Sequence, residues 1–462
     1  MKNDDLDYTK LLNATLARGG DYADLFIEHS ALTAVQIEGD RVEKAQMGID
    51  SGAGLRLIAG DRTFYAYTNE IREDKLAALA GDLSNAIDDG NVSRTGTLKD
   101  IEGAPWKEIK IDPSGISLEE KVELVRRANV AARKMDKRVR QVRVNFGDGR
   151  RETVIATADG GLVKETRTLV VFVVHIVAAD GEVVQTAYEP IGGTVGMEIF
   201  ENDPPESVAR RAVERALLML EAPPAPAGRM PVIISSEAGG TMIHEAVGHG
   251  LEADLAEEGL SVYTDRIGDN IASSLITVVD NATVPGARGS FAFDDEGIPA
   301  QNTVLVDRGK LVRYMHSRLS AMKSDTSSTG NGRRESYRHR PIVRMTNTMI
   351  LPGGHDPEKI VKSVDNGLFV RKMGGGQVNT VTGDFVFEVT EGYVIEKGKT
   401  DRPVRNATLI GNGPEILRSI DMVGSDLGYS IGTCGKDNQG APVADAQPTL
   451  RIPEITVGGK SL

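Results

Sequence analysis

The chain has 462 residues, a net charge of −13, 51 glycines, few aromatic residues and a single cysteine. It is too long for one ordinary core, so about two or three domains are expected. The acidic balance speaks against nucleic acid as the main partner, because phosphate binding needs a basic face, and the lone Cys434 permits no intrachain disulfide, which fits a reducing compartment such as the cytoplasm.

The N-terminal stretch MKNDDLDYTK is acidic and polar, so no signal peptide is expected. Leu6 to Ala17 shows helical spacing and stops at Gly19-Gly20. From Ala23 to Thr68 the pattern alternates, with turn signals at Glu38-Gly39-Asp40, Asp50-Ser51-Gly52 and Ala59-Gly60-Asp61; a meander of about five strands is predicted there. Glu73 to Ile87 follows as a helix. Pro105 to Pro113 reads as a connector, and Leu118 to Met135 as an amphipathic helix. A second meander is expected to turn at Asp148-Gly149, Asp159-Gly160 and Asp180-Gly181. Its run Thr168 to Ala179 is the longest apolar stretch. It is too short to span a bilayer and rich in β-branched residues, so a buried strand is predicted and no membrane contact. Pro205 to Leu220 closes this unit as a helix.

Pro223, Pro224 and Pro226 mark the clearest boundary in the chain. The expected division is 1–103, 104–221 and 222–462. The fold class is α+β: two helix and antiparallel-meander units, then a β-rich C-terminal domain that carries the chemistry. In that domain Met230 to Ser235 is a short strand. Ser324 to Gly332 is polar and small, a candidate lid or an idle surface loop.

The strand leads into Gly239 to Gly250, where His244 and His249 stand five residues apart and Glu245 follows the first. The reading is two metal ligands and a general base on one helix. Residues four apart share a face of an α-helix, whereas five apart are splayed by about 140°. One inserted residue can be absorbed as a π-bulge, which is often found at functional sites, and Gly248 is expected to supply the backbone freedom for it. A chance pair of histidines would be structural. Four glycines crowd this stretch, however, and a core helix has little use for them. A third ligand could come from Glu252, Asp254, His339 or Cys434. The cysteine lies between glycines in Gly432-Thr433-Cys434-Gly435, unlike a thiol packed in a core.

The stretch His244-Glu245 through His249-Gly250, with Glu252 and Asp254, resembles the metal motif of the TldD/PmbA family of zinc metallopeptidases. So do Arg338-His339-Arg340-Pro341, Gly374-Gly375-Gly376-Gln377-Val378 and Ile410-Gly411-Asn412-Gly413-Pro414. The likeness covers nearly the whole chain and is to the metal-bearing, TldD-like subunit. It implies His244, His249 and Cys434 as ligands of one Zn2+ per chain, with Glu245 as general base. It also implies hydrolysis of short or unfolded peptides, held extended by pairing with a strand in a closed chamber. The implied partner is a TldE/PmbA-like subunit in a heterodimer, or a second copy in a homodimer.

Three secondary features remain. Arg333 to Arg344 is a dense basic run, in which Tyr337, Arg338 and His339 are candidate substrate contacts: a Tyr or His for the oxyanion, an Arg for a peptide carboxylate. The acidic turn Asp294-Asp295-Glu296-Gly297 is a weak candidate for a cation. His175 is expected to be a satisfied core residue. The competing class is a non-catalytic binding or partner subunit in which a metal, closed by a fourth ligand from Glu252 or His339, only staples the domain.

Overall fold

The computed structural model describes residues 6–87, 94–103 and 108–459. The expected boundary at 103/104 and the start of the Pro105 connector abut residues 104–107, which lie outside the described residues. Helices and strands are mixed, as an α+β chain requires. Among the described residues, four helices of eight or more residues belong to the N-terminal part, at Tyr8–Thr15, Glu73–Asn85, Leu118–Met135 and Pro205–Glu221. Their ends follow local chemistry. Asp7 caps the first by accepting from the Lys10 N–H at 2.9 Å. Ser117 and Glu120 close a capping box on the third, which has Glu119 in its first turn and Lys134 in its last.

The first meander has three strands rather than five: Tyr22–Glu38, Arg41–Ala59 and Arg62–Thr68. Gly39 and Asp40, both at positive φ, make the first turn. The expected turn at Asp50-Ser51-Gly52 lies inside a strand, and so does that at Asp148-Gly149, within Val139–Thr157. Glycine serves close approach at these places. A Cβ on Gly52 would sit 2.1 Å from the Tyr337 ring, and one on Gly149 2.7 Å from Leu32. The turns at Gly60, Gly160 and Gly181 are present, each with the glycine at positive φ.

Each N-terminal stretch contributes its own helices and antiparallel strands, and the strands join into one sheet. Tyr22–Glu38 pairs on one side with Arg41–Ala59 and on the other with Val139–Thr157, in continuous register from Asp24↔Thr157 to Glu38↔Arg143. Gly161–Asp180 and Val183–Gly193 follow outward. The four helices cover the face that carries Leu25, Ile27, Val35, Val144 and Val174. The other face meets the C-terminal domain through Phe26, Ile155 and Val163, packed on Phe293 and Tyr337. His175 is on this outward side, exposed and stacked on Tyr188 at 5.9 Å, so it is not the core residue expected. The reason is the two-residue period. Val174 and Ile176 point inward, and His175 between them must point out.

Among the described residues, the C-terminal domain holds a short ladder of Gly332–Arg333 with Ile342–Val343 and two large sheets packed on one main core. One closes on itself, because Asn366–Val378 pairs both with Gly228–Ile234 and with Asp384–Glu396. The other has six strands and ends in Gln439–Gln447 and then Gly428–Lys436 at its edge. The acidic turn 294–296 is buried in the contact with the N-terminal sheet. Arg56 bridges Asp24 and Glu296, while Arg151 and Arg167 reach Asp295 at 3.5 and 3.2 Å. Arginines occupy the place of the cation considered for that turn.

Candidate functional site

The strand Gly228–Ile234 delivers the chain to a helical segment that changes pitch twice. It is α-helical at Thr241–Ile243, a π turn at His244–Gly248 and a tighter 3-10 turn at His249–Leu251. The His249 N–H donates to the His244 carbonyl, which is the five-residue step of a π turn. The bulge read from the spacing is therefore present, and it brings the two imidazoles to 5.0 Å between ring centres, at right angles. The part given to Gly248 is different from that expected. Its φ of −53° is ordinary helix, open to any residue. A Cβ there would stand 2.0 Å from the Met345 sulfur, so the glycine lets buried Met345 pack against the turn. Gly240 acts likewise against the backbone of Asp445 and Ala446.

The two histidines are held alike. His244 Nδ1 lies 2.8 Å from Asp445 Oδ1, and His249 Nδ1 lies 3.1 Å from Glu252 Oε2. A carboxylate at Nδ1 accepts its proton and leaves Nε2 with a free lone pair. Glu252 is fully buried and is fixed in turn by Lys436, whose Nζ also reaches Asp254 at 2.6 Å. Cys434 arrives on the edge strand Gly428–Lys436, with its Sγ 3.4 Å from His249 Nε2. Arg344 donates to the Cys434 carbonyl and to that of Gln439, so the hairpin bearing the thiol is anchored from below. The donor atoms of His244, His249 and Cys434 all lie within 4.8 Å of one another.

Charge follows from this packing. Burial pushes the Cys434 thiol up, but its hydrogen bonds with the two imidazoles outweigh that and bring it down to about 6. Burial disfavours charge on His249, yet Glu252 and Cys434 raise it to about 10. His244 is raised against burial in the same way by Asp445. A cation bound at these lone pairs displaces the protons.

The three side chains open into a cavity of about 600 Å³, and half-buried Glu245 lines it beside them. One wall is the edge strand from Tyr429 to Gly435. Another is the strand Val183–Gly193 of the N-terminal sheet, with Tyr188 to Gly192. A third is Lys372 to Gly375. Tyr337, Arg338 and His339 do not line it. Tyr337 is buried under the N-terminal sheet with its hydroxyl 3.2 Å from Asp50, Arg338 is paired with Asp50, and His339 Nδ1 contacts Ser336 at 3.1 Å. Arg333, Arg334, Arg338 and Arg344 of the basic run meet acids and carbonyls from both domains. Residues 324–332 do not line the cavity either, and Asn331 is buried against Asp280 and Arg344. Asp445, Lys436 and Lys372 were not singled out from sequence. For Asp445 a signal existed: a lone acid inside the apolar stretch Ala441 to Ala446.

Comparison with known proteins identifies the family of the whole chain. Residues 23–89, 111–220 and 227–459 match, in turn, domain 1, the central domain and the C-terminal domain described for PmbA/TldA metallopeptidases. A protein of Haemophilus influenzae named as a metalloprotease TldD homolog is 37% identical over 96% of this chain and 94% of its own length. A metalloprotease of Methanocaldococcus jannaschii is 33% identical over 94% of this chain and 96% of its own. Among solved structures, TldE from Thermococcus kodakarensis superposes with a TM-score of 0.76 at 18% identity, covering 97% of this chain and 99% of its own. A putative modulator of a DNA gyrase from Thermotoga maritima does so with 0.78 at 19%, covering 95% and 96%. These two show a shared fold. With three matched domains and relatives above 30% identity over almost its full length, the chain belongs to the PmbA/TldD family of metallopeptidases.

Proposed function

We propose that this chain is a zinc-dependent peptidase that hydrolyses peptide bonds in short or unfolded peptides. The observation that carries this reading is the convergence of His244, His249, Cys434 and Glu245 on one cavity. The donor set fits zinc. Both histidines have Nδ1 bound to a carboxylate, which leaves Nε2 as the ligand atom once it is deprotonated, and mixed imidazole and thiolate ligation favours this metal over hard cations. When bound, zinc would polarise the scissile carbonyl and lower the pKa of a water towards about 7. Glu245 accepts the proton of the attacking water and passes it to the leaving amine. Asp445 and Glu252 keep the histidines in one tautomer throughout.

Among the described residues, the edge strand Gly428–Lys436 has a strand partner on one side only, and it borders the cavity, which suits an extended peptide paired through its backbone. Walls from both domains leave room for a strand but not for a folded domain, hence the preference for short or unfolded chains. A structural metal would need a fourth protein ligand. Glu252 is committed to His249 and Lys436, and His339 lies off the cavity, which supports the catalytic reading. No described helix is long and apolar enough to cross a membrane. The proposed partner is a TldE-like subunit or a second copy of this chain, and the proposed compartment is the cytoplasm.

The test is bound zinc together with cleavage of an unstructured peptide, with any TldE-like partner present. Glu245→Ala is expected to keep zinc and lose turnover, and Cys434→Ser to lose most zinc. A Glu245→Ala protein that cuts at the wild-type rate would sink the mechanism.

A further inference from the structure

The cavity also carries charge that the metal chemistry does not use. Four acidic groups lie around it. Glu189 is held by Arg211 and Arg215 at 2.9 Å each, and Asp203 by Arg211 at 2.8 Å. Glu237 is paired with Arg371, and Glu391 with Arg215 and Arg371. Every one is already matched to a guanidinium. Lys372 lines the same cavity, half-buried, and makes no hydrogen bond or ion pair with any described residue. A half-buried ammonium with no acceptor among the described residues is open to a ligand that supplies one. Burial already holds its pKa below that of an ordinary lysine, despite the field of Glu189 and Glu237.

The backbone explains why this lysine is aimed as it is. The strand Asn366–Val378 loses register with Asp384–Glu396 between Val370 and Lys372, again at Met373, and once more before Gly376. Gly374 and Gly375, which also line the cavity, have no partner in that ladder. Irregularities of this kind re-aim a side chain out of the sheet. Here the irregular stretch faces the same space as Glu245.

We infer that Lys372 is a specificity-determining residue that binds a carboxylate of the peptide in the cavity, either the C-terminal α-carboxylate or an acidic side chain. This rests on the peptidase reading for its choice of ligand. A peptide entering the cavity carries carboxylates of only these two kinds, and a lysine ammonium serves either as a point charge with three donors. The acids and arginines around it already satisfy one another, so among the described residues lining the cavity Lys372 is a cation left open to an incoming carboxylate.

The test uses the full-length, zinc-loaded protein carrying Glu245→Gln, so that bound peptide is not consumed, and reads binding of fluorescent peptides by anisotropy. One peptide is compared as its C-terminal acid and amide, and a second amidated pair differs by one internal Asp against Asn. Cleavage of all four by the protein with Glu245 intact is followed in parallel. With Lys372 present, the acid of at least one pair is expected to bind about tenfold tighter than its neutral match, as for a charge-assisted hydrogen bond. Lys372→Met is expected to remove that ratio and Lys372→Arg to restore most of it. The pair that shows the ratio names the source of the carboxylate. Equal binding within both pairs, a ratio that survives Lys372→Met, or no binding of any peptide overturns the inference. Cleavage without discrimination would remove this inference and leave the peptidase reading intact. Discrimination in binding without any cleavage would do the reverse.

Discussion

Replacing Asp445 by asparagine should weaken zinc binding without unfolding the site. Asp445 sits on Gln439–Gln447 in register with Ser430 on the strand that carries Cys434. Its buried Oδ1 is 2.8 Å from His244 Nδ1. Asparagine keeps the shape and a carbonyl acceptor but removes the charge. A hydrogen bond to a charged group contributes about 1.5–3 kcal/mol and a neutral one about 1, so the loss is about 1–2 kcal/mol. At about 1.4 kcal/mol per factor of ten, zinc affinity should fall about five- to thirtyfold, near the lower part of the range usual for partners of metal-bound histidines. The assay is zinc competition against a chelator of known affinity, with Asp269→Asn as control, since Asp269 is exposed and paired only with Arg266. Thermal melting of both proteins checks folding. An Asp445→Asn protein that holds zinc within twofold of wild type refutes the idea that this carboxylate fixes the imidazole.

Two further outcomes follow from the contact between the domains. Burial pushes Asp295 up, but Arg151 and Arg167 outweigh it and hold the carboxyl at about 2. That lies below its unfolded value of about 3.9, so the stabilisation is complete above about pH 4 and is lost as pH falls towards about 2, on the order of 2–3 kcal/mol. Urea unfolding at pH 7, 4 and 2.5 should show a shallower acid loss for Asp295→Asn than for wild type, and parallel curves would contradict the assignment. Arg338→Ala removes a pair that is 43% and 40% exposed, so it should cost less than about 1 kcal/mol and leave KM for a peptide unchanged. A several-fold rise in KM would return Arg338 to the substrate.

Much of the candidate site was legible because its grammar is local. The five-residue spacing of His244 and His249 forces an irregular turn, and the structure has a π turn at that place. Cys434 stood out by its glycine neighbours. The reason for Gly248 was not legible, because Met345 approaches from almost a hundred residues away and leaves no mark beside the helix. That Tyr337, Arg338 and His339 lie off the cavity was not legible for a similar reason. Charge density in a sequence does not tell a cavity wall from a buried interface, and Asp50, which pairs with Arg338, is separated from it by 288 positions. In the sheets, turns with a glycine at positive φ were readable, as at Gly60 and Gly181. Glycines placed for close packing, as at Gly52, imitated them. The union of the N-terminal strands in one sheet depends on pairs such as Asp24↔Thr157, which no local pattern announces.

That union also sets an order of events during synthesis. Tyr22–Glu38 leaves the ribosome about 100 residues before Val139–Thr157 can pair with it, an interval of roughly 5–20 s at usual elongation rates. Until then one side of a long strand offers its bare amides and carbonyls to any neighbour, and its Phe26 face waits for a domain not yet made. The hairpin tip between Glu38 and Lys44 is studded with Glu38, Asp40, Arg41, Glu43 and Lys44, charges that deter such pairing over part of its length. A nascent chain stalled or clipped near residue 103 never acquires the second neighbour, and it should be found in the insoluble fraction or bound to chaperones.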